Sequence, residues 1–171
     1  IPKASGIQYF DDIVKGFEHA AQKYDFEFTT IAPAKANATS QLAIVKSQIK
    51  RGVDVICISP NSEDALDSVF KRARAKGIKV FTVNNDIANP ANRDLAIQPS
   101  DVTKIGEIQI EMLGSMIDYK GDFAIISATT DAPDQNAWIA VMKQTLEKNE
   151  KYKAMKLVDI VYGDDEPQKS A

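Results

Sequence analysis

Short apolar runs alternate with longer amphipathic stretches along most of the 171-residue chain. The runs are rich in Val, Ile and Phe and are bounded by Gly, Pro, Asn or Asp. Such runs are typical of parallel strands that are buried on both faces of a sheet. The stretches between them carry apolar residues at helical spacing, so the pattern predicts an α/β fold of βαβ units. The predicted strands cover residues 26–31, 53–60, 79–83, 94–98, 123–127 and 155–162.

The chain length suits either one ordinary domain or two small lobes, and a second lobe would begin near Ser100. No low-complexity linker marks that point, so we expect a tight connection between the halves. Ser62, followed by two acidic residues, is the predicted N-cap of the helix before residues 79–83. The helix predicted from Ser100 to Tyr119 is apolar around most of its circumference, which predicts burial on more than one side.

Composition and charge exclude several classes of protein. Hydrophobic residues make up 44% and charged residues 26% of the chain, which is typical of a folded globular protein. A net charge of −3 without a run of Lys or Arg argues against a nucleic-acid partner. With one His and one Cys, the chain cannot build a His/Cys metal cluster.

Motifs of catalysis are also missing from the sequence. It has neither a Gly-x-Ser-x-Gly elbow nor a glycine-rich phosphate loop. His19 is predicted on the polar side of a helix, and Cys57 lies in an apolar strand, where a structural thiol is the simpler interpretation. We therefore predict a binding protein without a cofactor or metal. An enzyme built on a doubly wound sheet is the alternative in another class.

Polar and aromatic residues gather where the predicted strands end, and these are the candidate binding residues. In open α/β sheets, ligands lie beyond the carboxyl ends of the strands. Carboxylates and amides can hold vicinal hydroxyl groups, and an aromatic face can cover the apolar side of a sugar ring. The candidates are Lys3, Tyr9 and Phe10 in the first loop and helix start, Asn84 and Asp86 after residues 79–83, and Asp134, Gln135, Asn136 and Trp138 in the later half.

Most candidates also have a purely structural interpretation. Asn84 and Asp86 belong to residue types that favour turns, because their side chains bond nearby backbone groups. Asp134 stands where a helix N-cap belongs. Phe10 and Trp138 suit ordinary core packing. The residues alone leave both interpretations open.

Several segments resemble the type I periplasmic sugar-binding proteins of ABC importers, most closely the rhamnose-binding and autoinducer-2-binding branch. These segments are Ile1-Pro2-Lys3, Phe70-Lys71-Arg72-Ala73 through Gly77-Ile78-Lys79-Val80, Asn84-Asn85-Asp86 and Asp134-Gln135-Asn136-Ala137-Trp138. The resemblance covers essentially the whole chain. It implies two Rossmann-like lobes with parallel sheets flanked by helices, at residues 1–100 and 101–171. It further implies that the lobes close like a flytrap on a sugar or sugar-like molecule and perform no chemistry.

The resemblance also implies roles for individual residues. Lys3, Asp134 and Gln135 match positions that hold the ligand in that branch. The branch carries an Asp-x-Asp pattern after the fourth strand, and here Asn84 replaces its first member while Asp86 keeps the second. This departure removes a charge from the site and disfavours autoinducer-2 as the ligand.

The same resemblance sets expectations for location, partners and completeness. It implies an exported protein, periplasmic or anchored outside the cell, that serves a membrane ABC permease. The effector-binding domain of a repressor is an alternative on the same fold, and an autoinducer-2 receptor is another. Because only Ile1-Pro2-Lys3 remains of the family's central first strand, we expect both lobes to be incomplete. A strand from a second copy would then fill the gap in a strand-exchanged dimer.

Overall fold

The computed structural model describes all residues from 1 to 171, and they divide into two compact units, Ile1–Ile97 and Gln98–Ala171. The first unit contains α1 (Gln8–Tyr24), α2 (Ala38–Arg51), β1 (Val55–Ile58), α3 (Asp67–Ala75), β2 (Lys79–Val83), a 3-10 turn (Pro90–Asn92) and β3 (Leu95–Ile97). The second contains α4 (Val102–Met116), β4 (Lys120–Ser127), α5 (Pro133–Lys148), a 3-10 turn (Glu150–Tyr152), β5 (Ala154–Tyr162) and α6 (Pro167–Ser170). The predicted α/β fold with parallel sheets flanked by helices is confirmed.

The sheet of the first unit has the strand order β1-β2-β3, and both strand pairs are parallel. Ile56 lies opposite Val80 in the register of β1 and β2. Ile1 runs beside β1, because its nitrogen donates to the carbonyl of Cys57 at 2.7 Å and its carbonyl accepts from Ser59 at 3.0 Å. The carboxyl ends of β1 and β2 therefore lie side by side, close to the first residues of the chain.

The main core of the first unit lies between this sheet and helices α2 and α3. Its buried members are Val45, Ile49, Ile56, Ile58, Leu66, Val69, Phe70, Ala73, Ile78, Val80 and Ile87. The expectation that the strands are buried on both faces is wrong: Val55 and Leu95 are exposed, and burial alternates along β1 and β2. Alternate side chains point to opposite faces, and this core covers only the face that carries Ile56, Ile58 and Val80.

Residues 26–31 were predicted as a strand, and this prediction is wrong. The segment is irregular, and no neighbouring strand pairs with its backbone. A strand persists only where an adjacent chain supplies partners for its N–H and C=O groups. The segment is held instead through its side chains, since the Phe28 ring stacks on Phe17 of α1 with centroids 5.8 Å apart.

Ser62 does not cap α3, which begins five residues later at Asp67. The Ser62 hydroxyl accepts from the backbone N–H of Ala65 at 3.3 Å and donates to the carboxylate of Asp64 at 3.0 Å. These bonds close a local turn ahead of the helix, which is the competing structure that serine side chains favour.

The second unit is built on a parallel pair of strands, β4 and β5, with helices α4 and α5 packed together. Its core consists of Ile110, Met142, Tyr152 and Met155, with further half-buried apolar residues around them. The expectation that α4 is buried on more than one side is wrong, because Ile108, Met112 and Met116 form an exposed stripe. The helix packs on α5 and the core from one side only.

Close approach of α4 and α5 depends on Gly106. A Cβ atom at this position would lie 2.6 Å from the Cβ of Val141 and 2.9 Å from the carbonyl oxygen of Trp138. Both distances are shorter than the van der Waals contact distances between carbon atoms or between carbon and oxygen. Only glycine therefore fits here unless one of the helices shifts. None of the helices in the protein combines the length and the apolarity that crossing a membrane requires.

Candidate functional site

Tyr9 and Asn84 meet at the carboxyl end of β2. The hydroxyl of Tyr9, on the first turn of α1, donates to the Oδ1 atom of Asn84 at 2.9 Å. Asn84 adopts the left-handed backbone conformation with φ of 70°, which asparagine tolerates better than most residues. Tyr9 is 48% exposed, so the hydroxyl and the amide form an accessible polar pair without net charge.

Phe10 takes a different position from its neighbour. The ring is buried and meets Tyr9 edge to face, with centroids 5.3 Å apart. Such contacts between aromatic rings fix their relative orientation. Phe10 therefore supports the ring of Tyr9 through packing and offers little accessible surface of its own.

Asp86 closes the connection between β2 and β3. Its carboxylate accepts from the hydroxyl of Thr82 at 2.7 Å and from Nε and Nη2 of Arg93 at 2.8 and 2.5 Å. Burial raises the pKa of Asp86, but these bonds, a bond from the backbone N–H of Ile87 and the charge of Arg93 together hold the pKa below its ordinary value. Most of the acceptor capacity of Asp86 is thus used inside the protein.

Arg93 was not among the predicted site residues. One signal in the sequence points to it, because it is the only basic residue between β2 and β3. A carboxylate in that segment, if half-buried, requires a cationic partner. Arg93 is the residue of this segment that can supply the positive charge.

Lys3 is buried, and its backbone carbonyl accepts from Nδ2 of Asn61 at 2.9 Å. Asn61 follows β1 by three residues, so this bond joins the first loop to the end of the sheet. The structure brings Lys3 into the same unit as Tyr9 and Asn84, at the end of the sheet where the sequence placed it.

A buried network of amide side chains links these segments, and none of its members was predicted as a site residue. Gln41 bonds to the backbone of Pro2, Ser59 and Asn61, and Asn85 bonds to Ser59 and Pro60. A signal for Gln41 exists in the pattern, because it lies four residues before Val45 on the buried stripe of α2. A polar residue on an apolar stripe must find partners in the interior.

The second group of candidates occupies the first turns of α5. Asp134, Gln135 and Asn136 are all half-buried, and the side chain of Asn136 donates to the carbonyl of Thr130 at 2.8 Å. Asp134 is not the N-cap: that position belongs to Ala132, and Pro133 follows as the first helical residue. Proline suits this position because its missing N–H would have no partner there. The carboxylate of Asp134 accepts from the backbone N–H of Gln135 at 3.0 Å.

Trp138 packs against the core of the second unit. Its indole Nε1 is inaccessible and has no hydrogen-bond partner, and the same holds for the hydroxyl of Ser127 at the end of β4. An unpaired buried N–H is unfavourable, so the position of Trp138 is set by apolar packing. The core-packing interpretation fits this residue.

A shallow groove of about 480 Å³ lies away from all these candidates. It is lined by residues that precede β1 and β2, among them Val53, Asp54, Gly77 and Ile78. The groove is therefore at the amino-terminal edge of the sheet, and none of the candidate binding residues contributes to it. Ligands of open α/β sheets bind at the opposite edge.

The sequence matches the profile of the family described as periplasmic binding protein domain over residues 1–171. It is 32% identical over 101 residues to the D-xylose-binding periplasmic protein of Escherichia coli K12, a match that covers 59% of this chain and 30% of that protein.

Two solved structures resemble the fold over 98% of the chain. One is an ABC transporter solute-binding protein from Clostridium phytofermentas with bound L-rhamnose, at a TM-score of 0.93 and 28% identity. The other is an ABC transporter solute-binding protein from Burkholderia graminis in complex with D-arabinose, at a TM-score of 0.88 and 32% identity. The chain spans 52% and 56% of these two proteins, about half of each.

Proposed function

Because the chain belongs to the periplasmic binding protein family, we propose that it binds a neutral monosaccharide or a similar polyol for an ABC importer. The observation that carries this proposal is the accessible pair of Tyr9 and Asn84 at the carboxyl end of β2. An amide and a phenol together offer both donors and acceptors, and the hydroxyl groups of a sugar can bond to either.

The relatives support a sugar ligand over other small molecules. The two solved proteins contain L-rhamnose and D-arabinose, and the curated relative is named for D-xylose. All three ligands are neutral monosaccharides. The amide at position 84 agrees with such a ligand, since it can both donate to and accept from hydroxyl groups, whereas a carboxylate could only accept.

Not all candidate residues are proposed to act in the same way. We propose that Lys3, Tyr9, Asn84, Asp134, Gln135 and Asn136 contact the ligand directly. Phe10 and Trp138 act by packing, because the Phe10 ring meets the ring of Tyr9 and Trp138 lies against the core of the second unit. Asp86 acts mainly by holding the loop that carries Asn84, because Arg93 and Thr82 already occupy its carboxylate.

The proposed mechanism is closure of the flytrap type, in which bound ligand favours the closed state of the protein over the open state. A ligand can shift such an equilibrium only by the difference between its affinities for the two states. The closed state is then the form that a membrane permease recognises. Under this proposal the protein is exported and performs no chemistry on its ligand.

A binding screen with the intact protein tests the proposal. The probes are D-xylose, D-arabinose, L-rhamnose and xylitol, with autoinducer-2 and D-glucuronate as comparison ligands. A neutral sugar at 100 times its dissociation constant should stabilise the folded state by about 2.7 kcal/mol, which appears as a higher melting temperature. A folded protein that binds none of the neutral sugars in calorimetry would overturn the proposal. Preferential binding of autoinducer-2 would replace the sugar with a different ligand.

A further inference from the structure

We propose that Gln41 is a positioning residue, which holds Lys3 and the segment after β1 in the arrangement that sugar binding requires. Gln41 is fully buried and its amide is bonded to backbone, so it is not proposed as a ligand contact itself. The inference rests on the proposed function, because it takes Lys3 and Asn84 as ligand contacts. It adds a residue on a different element, α2, to the determinants of that site.

Three hydrogen bonds fix the amide of Gln41, and each goes to backbone. Its Nε2 donates to the carbonyl of Pro2 at 3.1 Å and to the carbonyl of Ser59 at 2.8 Å, while its Oε1 accepts from the N–H of Asn61 at 2.8 Å. Both donors of the amide are thereby used. A single side chain ties the start of the chain to the end of β1.

Asn61 extends this link to Lys3. Its buried side chain donates to the carbonyl of Lys3 at 2.9 Å, while its own N–H is held by Gln41. The carbonyls of Pro2 and Lys3 are therefore both bonded to one cluster of side chains. Because the carbonyls of Pro2 and Lys3 are both held, the backbone between them has little freedom to rotate. The backbone therefore fixes the direction in which the Lys3 side chain projects.

Asn85 connects the same segment to the end of β2. Its Nδ2 donates to the carbonyl of Pro60 at 2.7 Å, and its Oδ1 accepts from the hydroxyl of Ser59 at 3.1 Å. Asn84 is the preceding residue along the chain, and its Nδ2 also donates to the Oδ1 of Asn85. A continuous series of hydrogen bonds thus runs from Pro2 through Gln41, Ser59 and Asn85 to Asn84.

Gln41→Met tests the inference, with Gln48→Met as its matched control. Methionine retains the length of the side chain but can form none of the three bonds. Gln48 lies on the same helix and is 9% exposed, yet its side chain does not bond to Pro2, Ser59 or Asn61. Both variants place a methionine in the interior of α2, so they share any general cost of the substitution.

The first measurement is the dissociation constant for D-xylose, D-arabinose and L-rhamnose, taken well below the melting temperature of each variant. Gln41→Met should weaken binding of the preferred sugar by about tenfold or more, because positions of contacting groups must be held within about 0.5 Å. Gln48→Met should change it by less than about twofold. A purely structural role would lower the melting temperature and leave the affinity of the folded protein unchanged, and that result would overturn the inference.

The second measurement needs no ligand. Hydrogen exchange at the amide of Asn61, which donates to Gln41, should become at least about tenfold faster in Gln41→Met and stay unchanged in Gln48→Met. Unchanged exchange would overturn the inference even if no sugar binds. If Gln41→Met does not fold, Asn61→Ala replaces it, since this variant removes only the bond to Lys3 and should show the same loss of affinity. A wild-type protein that binds no sugar would instead overturn the proposed function.

Discussion

Arg93 holds both carboxylate oxygens of Asp86, with Nε 2.8 Å from Oδ1 and Nη2 2.5 Å from Oδ2. The pair closes the segment that leaves β2 and returns to the start of β3. Both side chains are about one-fifth exposed. A charge pair with bidentate geometry in a half-buried place is stronger than an ordinary surface ion pair.

Removing one member of this pair should destabilise the protein more than it weakens sugar binding. We expect Asp86→Asn and Arg93→Met each to lower the free energy of unfolding by about 1–3 kcal/mol, because the remaining partner keeps an unpaired polar group. The double variant should lose less stability than the sum of the losses in the two single variants. Urea denaturation of the wild type, both single variants and the double variant measures this difference. An Asp86→Asn protein of normal stability with lost sugar affinity would show that Asp86 contacts the ligand directly.

Substitutions of Asn84 separate its backbone role from its side-chain role. Both Asn84→Gly and Asn84→Ala lose the side-chain bonds to Tyr9 and Asn85, but Asn84→Gly should be more stable than Asn84→Ala by about 1–2 kcal/mol, because glycine adopts φ of 70° without strain. Both should weaken sugar binding, because both remove the amide. Asn84→Asp should change which sugar is preferred, because a carboxylate can accept hydrogen bonds but cannot donate them. Calorimetric titration and urea denaturation measure the two effects, and unchanged affinity in Asn84→Gly would remove the amide from the proposed site.

Asp134 should matter for binding rather than as a helix cap. Asp134→Ala is expected to weaken sugar binding by at least about 2 kcal/mol, because buried ligand hydroxyl groups would lose their acceptor. Asp131→Ala is the matched control, since Asp131 lies in the preceding loop and is exposed. Equal affinities for wild type, Asp134→Ala and Asp134→Asn in calorimetry would exclude this contact.

The stability of the second unit should depend on the ionisation of Glu111. Hydrogen bonds from Lys151, Tyr152 and Tyr119 lower the pKa of this carboxyl group from its ordinary value of 4.5 to about 2. A lowered pKa in the folded state means that the stabilisation is fully present above pH 4.5 and is lost as the pH falls toward 2.

Glu111→Gln should therefore reduce the dependence of stability on pH within that window. Urea denaturation at several pH values between 5 and 2 measures this for the wild type and the variant. Glu107→Gln, at an exposed position of the same helix, is the control for removing a carboxylate from α4 without removing these hydrogen bonds. Equal pH dependence in Glu111→Gln and the wild type would contradict the assigned role of these bonds.

Two glycine substitutions should have opposite effects on stability. Gly106→Ala introduces a Cβ against Val141 and the carbonyl of Trp138, which should cost about 1–3 kcal/mol through overpacking. Gly16→Ala on α1 meets no atom within 4 Å and should stabilise by about 0.5–1 kcal/mol, because alanine has the higher helix propensity. Thermal or urea denaturation distinguishes them, and a neutral Gly106→Ala would show that α4 can shift at little cost.

Local patterns in the sequence were sufficient for most of the fold. The apolar runs that became β1, β2, β4 and β5 are bounded by residues that favour turns, and the periodicity of the helices is a property of short stretches. The location of Asn84 and Asp86 after β2 follows from the same information. Because parallel strands end at one edge, the sequence also placed most of the candidate residues at the ends of strands.

The partners of those residues were decided only by the tertiary structure. Tyr9 and Asn84 are 75 positions apart, and Gln41 bonds to carbonyls 39 and 18 positions away. Residues 26–31 have the composition of a strand but not its backbone pairing, because a strand needs a neighbour that no local pattern can supply. Sequence periodicity reports which face of an element is buried. Which polar groups meet across that face depends on how distant segments pack. The buried amides of Gln41 and Asn85 therefore find their hydrogen-bond partners only in the folded structure.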